Sequence, residues 1–177
     1  RLHWLDRKGF VPCRLDALLD EKKSRPNKGI PVIVTVDDGW YSSSSNLLPV
    51  LLRHGHRPVL YLATKLFGVG GPVPDVCVAY IVWKSPLVSV SISGIDPLLD
   101  GVYSLDQHEG SAQLKDAAGR WLAAIECDAG AIISALELFA KALDVPAAAL
   151  DLASRRFSYV TREELLGMAC DGCQVEL

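Results

Sequence analysis

Residues 32 to 40 read Val-Ile-Val-Thr-Val-Asp-Asp-Gly-Trp, an apolar, β-branched run that ends on two adjacent carboxylates and a glycine. Successive side chains of a strand point to opposite faces. Asp37 and Asp38 can therefore serve one site only at a strand end, where Gly39 lets the backbone turn sharply. Two acids held together at a buried strand end repel each other unless a cation or separate partners divide their roles. That cost suggests a functional site. The bland reading is a solvated turn after a core strand.

The other residues with chemical potential are less organised. The four histidines are His3, His54, His56 and His108. His54 and His56 flank Gly55 at a helix C-terminus, where a cationic ring complements the dipole, and are expected at the surface. His3 and His108 stand in lone polar contexts. Five cysteines cannot all pair within one chain. Cys170 and Cys173 have Cys-x-x-Cys spacing, but no second pair is near, and Cys13, Cys77 and Cys127 are scattered singly. The Cys170–Cys173 pair is read as small buried hydrophobes at a helix-to-strand junction.

Composition sets the frame. The 177 residues are half hydrophobic and 22% charged, with a mean hydropathy of +0.22. Such a chain fills a core and is most simply one domain. A net charge of −3 gives no basic footprint for nucleic acid. No apolar run approaches the roughly 20 residues that cross a bilayer. Both edges of the sequence look cut rather than finished, so a fragment of a longer protein is expected, and cysteine use leaves the compartment open.

The elements that must position Asp37 and Asp38 follow from periodicity. A short helix closing near Gly9, an extended stretch 11–15, and a helix capped by Asp16 running to about Lys23 lead into a polar loop, 24–29. Ile30–Val36 has the continuous apolar run of a strand buried on both faces. Ser42–Ser45 offers N-caps for a helix with Pro49 near its start and Leu47, Leu48, Leu51 and Leu52 on one face, ended by Gly55. Pro58–Ala63 is the next strand, completing a βαβ unit with a parallel sheet.

Gly68–Pro72 lacks the lysine and following helix of a phosphate loop and is read as a connection. After it, 78–83, 87–92 and 102–105 look like short strands, and 111–126, 129–144 and 146–156 like helices. This block, roughly 72–157, differs in character and reads as an inserted α+β lobe. Thr161-Arg162-Glu163-Glu164 is a capping box, opening a helix to Ala169, and Cys173–Leu177 is a third core strand.

Thr35-Val36-Asp37-Asp38-Gly39-Trp40, with its Ser/Asn-led helix, resembles the first motif of the polysaccharide deacetylases, metal-dependent carbohydrate esterases that include chitooligosaccharide and peptidoglycan deacetylases. The flanks are similar too, over residues 1–67 and 158–177. The resemblance implies a partial deacetylase-type (β/α) barrel carrying the inserted lobe beside the strands' C-terminal edge. It implies Asp37 as the general base and Asp38 as ligand to a divalent metal, usually zinc, on a glycan substrate bearing N- or O-acetyl groups. The family's His-x-x-x-His pair, which supplies the other ligands, is expected beyond Leu177. On that reading the 177 residues alone bind zinc poorly and show no turnover. Two alternatives stand beside it. One is a degenerate, non-catalytic carbohydrate-binding relative. The other is a haloacid-dehalogenase-like phosphatase, disfavoured because that chemistry needs an acid where Gly39 stands.

Overall fold

A computed structural model describes residues 2–19, 28–64, 71–125 and 128–176. The chain divides into two compact units, the first made of residues 1–68 and 160–177, the second of 69–159. The expectations for 20–27, for the Gly-rich connection through Gly70, for Cys127 and for Leu177 lie outside the described residues.

In the first unit, α1 (Leu2–Arg7) and β1 (Phe10–Pro12) precede α2, whose described part is Leu15–Leu19. The run from Ile30 is not one strand. It breaks at Ile33–Val34 into β2 (Ile30–Val32), parallel to β1, and β3 (Thr35–Asp38), parallel to β4 (Val59–Leu62). Each segment has one partner strand among the described residues. The expected double-sided burial also fails, because the faces of these short strands are not both covered: Ile30 is 56% exposed, and Pro31 and Thr35 are exposed too. Pro31 lacks the N–H of a central ladder position and suits such a strand. Downstream, α8 (Arg162–Cys170) leads into β7 (Gln174–Glu176), which pairs parallel with β4. The strand order is β3–β4–β7, with β4 in the middle. Leu48, Leu60, Leu62, Val160, Met168 and Cys173 form the core against this sheet.

The helix between β3 and β4 starts differently from the serine-capped expectation. Tyr41 and Ser42 are already helical, and Ser43–Leu47 is a π-helical turn with no side-chain cap. Leu48 N–H reaches back to Ser43 O, and α3 (Leu48–Arg53) continues from there. Pro49 explains the wide turn. In a regular α-helix its ring would strike the carbonyl four residues back, and widening the register relieves that clash. The Ser45 hydroxyl instead donates to Tyr41 O at 3.2 Å.

Both helices that feed this sheet end in the same way. Beyond α3, Gly55 N–H donates to Leu52 O and His56 N–H to Leu51 O. Beyond α8, Gly172 N–H donates to Ala169 O and Cys173 N–H to Met168 O. These are Schellman turns, with glycine at the left-handed position. The Arg57 guanidinium donates to Asp171 O at 3.2 Å, tying one turn to the other. The capping box at α8 forms as expected, with Glu164 N–H on the Thr161 hydroxyl and Thr161 N–H on the Glu164 carboxylate.

The second unit is mainly helical. Residues 78–83, expected as a strand, belong to α4 (Pro74–Lys84). Their β-branched content suggested a strand, yet Cys77, Val78, Ile81 and Val82 are buried at helical spacing and Pro74 lies in the first turn. A hairpin of β5 (Ser89–Ile92) and β6 (Gly101–Ser104) follows, then α5 (His108–Ala124) and α6 (Ala129–Ala142). α4 packs on both helices, and α5 also on β6. The expected third helix stops early. α7 (Ala147–Leu150) ends where Asp151 turns left-handed (φ 46°), and a 3-10 turn takes up 152–154. Near the unit's ends Pro72 bridges Ser158, and Val73 N–H donates to Phe157 O.

Candidate functional site

The acid pair occupies the last two positions of β3, at the C-terminal edge of the parallel sheet, with Asp38 opposite Leu62 of β4. The strand does not simply run out there. Gly39 N–H donates to Asp37 O at 2.9 Å, with Asp38 at φ 70° between them. This is a γ-turn of the rare, positive-φ kind. A non-glycine residue in that region costs about 1–3 kcal/mol and persists only where its surroundings enforce it.

Those surroundings are visible. Asp38 O accepts from Ala63 N–H at 3.2 Å, and Gly39 O accepts from Val160 N–H at 2.9 Å. Gly39 is buried at φ 79°, so close to Leu62 that a Cβ would collide with its Cδ1. The turn breaks the pleat, so the two acids need not point to opposite faces. Both carboxylates are exposed to solvent. The sequence placed them at a strand end, and that is where they lie, although open to solvent rather than buried. The π-turn at Ser43–Leu47 follows directly and gives the edge a second irregular segment.

The donor set at this edge is short for a metal. Among the described residues, no three-ligand group of His, Cys, Asp or Glu includes Asp37 or Asp38. Asp38 alone does not make the three-ligand site that a catalytic zinc generally takes.

The histidines sort differently from their expected surface placement. Between His54 and His56, Gly55 makes a left-handed turn (φ 76°), leaving His54 half-buried and His56 buried. His56 is turned inward, 2% exposed, and its Nε2 has no hydrogen-bond partner among the described residues. His54 caps α3 on the outside, at the N-terminal end of β4, and meets His3 of α1 edge to face, with ring centroids 4.6 Å apart. The His3 Nδ1 lies 4.0 Å from the Asp6 carboxylate. Sequence reading missed this group. The i,i+3 spacing of His3 and Asp6 was its only local trace, and His54 joins through tertiary structure alone.

Three cysteines are sheltered from solvent, Cys173 among them as expected. Cys13, Cys77 and Cys173 are buried. Burial pushes the Cys77 thiol up to about 12, against a smaller lowering by Arg156. Burial likewise raises Cys173, with the Leu60 backbone opposing it. Cys170 departs from the expectation. It ends α8 exposed, because the Schellman turn buries Cys173 instead.

No helix among the described residues is long and apolar enough to cross a membrane. No family model matches the chain, and no curated protein or solved structure matches it significantly.

Proposed function

We propose that this chain carries the first catalytic motif of a metal-dependent polysaccharide deacetylase, within part of a (β/α) barrel, and acts on N- or O-acetyl groups of a glycan. The observation that carries the reading is the strained γ-turn at Asp38, which holds two exposed carboxylates at the C-terminal edge of a parallel sheet. Barrel enzymes place their chemistry at that edge, and backbone strain of this kind clusters at active sites.

In this reading Asp37 takes the proton of the attacking water, a contribution of about 10²–10⁴-fold. Asp38 is a metal ligand, and two histidines are needed beside it. Reading the coding sequence past Leu177 is the first test. A His-x-x-x-His pair supports the reading, and its absence overturns it in favour of a non-catalytic carbohydrate-binding relative. That second reading draws on the exposed acids belonging to no three-ligand group among the described residues. In the protein that carries such a pair, acetate release from acetylated chitooligosaccharide or xylan should vanish on Asp37→Asn.

A further inference from the structure

We propose that His3, Asp6 and His54 form a zinc site at the opposite, N-terminal end of β4, separate from the acid pair. Their ligand atoms all lie within 4.8 Å of one another. Around a tetrahedral zinc with ligand bonds of about 2.0–2.2 Å, donor atoms sit roughly 3.3 Å apart. The His3 Nδ1 to Asp6 Oδ2 distance of 4.0 Å closes by side-chain rotation alone. His3 and Asp6 have that freedom, with side chains 83% and 46% exposed. Two imidazoles and a carboxylate leave the fourth position to water, the ligand count of an open zinc site. The nitrogen donors favour zinc and its neighbours over magnesium or calcium, which take oxygen cages.

The backbone supports this set. His3 and Asp6 share one face of α1 at i,i+3 spacing. His54 is the C-cap of α3, and the Schellman turn at Gly55 fixes the direction of its side chain. The ion would tie α1 to α3, which is anchored in the core through Leu48. α1 is six residues long and buries none of them, and a helix that short is marginal by itself. Zinc between α1 and the α3–β4 turn is therefore a staple for the start of the chain. The weak zinc binding expected from the sequence considered Asp38 alone, and zinc held by these three residues would be additional to it.

Isothermal titration of the whole chain with zinc, beside magnesium and calcium, tests the proposal. One zinc should bind per chain, with neither hard cation competing at millimolar concentration. His3→Ala and His54→Ala should each weaken zinc by more than about 10-fold, since even outer-shell partners are worth 10–100-fold. Asp38→Asn should leave the affinity unchanged. Cobalt should give visible d–d bands that disappear in the His54→Ala protein. Zinc should also raise the thermal midpoint, reversibly with a chelator, in the wild-type protein but not in His54→Ala. All three side chains are exposed or half-exposed, so circular dichroism of the variants should match wild type. Unchanged affinity in both histidine variants overturns the site. Equal loss in Asp38→Asn overturns it as well, and assigns the ion to the acid pair.

Discussion

Gly39→Ala should loosen the first unit by about 2–3 kcal/mol, and the structure supplies each contribution. At φ 79° a side chain meets the left-handed penalty of roughly 1–2 kcal/mol. The new Cβ would also collide with Leu62 Cδ1 and touch Val160 Cγ2 at 3.6 Å. Leu62 and Val160 belong to the core against β4, where overpacking costs about 1–3 kcal/mol. Reduced freedom of the unfolded chain offsets about 0.4–1 kcal/mol. Gly55→Ala is the matched control, because Gly55 has a similar φ of 76° but nothing within 4 Å of its Cβ. That variant should lose only about 1 kcal/mol. Urea unfolding of both variants, followed by circular dichroism, separates the collision from the backbone strain. Equal losses in the two proteins would refute the claim that the turn is clamped by Leu62.

Other consequences can be measured in the same way. Leu60→Ala, at a fully buried position of the middle strand, should cost about 2–5 kcal/mol in urea unfolding. Thr161→Ala removes one half of the capping box on α8 and should cost about 1 kcal/mol. The thiol of Cys77 stays protonated in the fold up to about pH 12 but ionises near 9.0 when unfolded. Stability from this group is therefore complete below about pH 9 and lost as pH rises towards 12, on the order of 1 kcal/mol per pH unit in between. Urea midpoints across that window should fall less steeply for Cys77→Ala than for wild type, and parallel slopes would contradict the burial argument. An aromatic disulfide reagent at pH 8 should label exposed Cys170 in the native protein and reach Cys77 only after unfolding.

Local rules carried some of these elements and not others. The Thr161 capping box, the turn at Gly55 and the parallel pairing of 35–38 with 59–62 were legible, because each depends on a few neighbouring residues. Ile30–Val36 was misread because apolar content shows that a segment prefers burial but neither where the strand breaks nor which of its faces other elements cover. Val78–Trp83 was misread because β-branched residues in a buried helix look like a strand until the neighbouring helices are known. The acid pair was found by its spacing, whereas the strain at Asp38 was not visible in its residue types. His3, Asp6 and His54 come together only because the end of α3 passes beside α1, which no local pattern encodes.

The γ-turn also decides what kind of visitor the edge of β3 can receive. Three consecutive carbonyls, those of Asp37, Asp38 and Gly39, already accept hydrogen bonds from Gly39, Ala63 and Val160. Their first lone pairs are committed to holding the chain, and two carboxylates with no donors of their own face the solvent. An incoming group must therefore bring hydrogens or positive charge. The hydroxyls and amides of a sugar meet that requirement, and so does a hydrated cation. The two carboxylates by themselves repel a phosphate ester, so an anionic group reaches this edge only with a cation or with donors from neighbouring backbone.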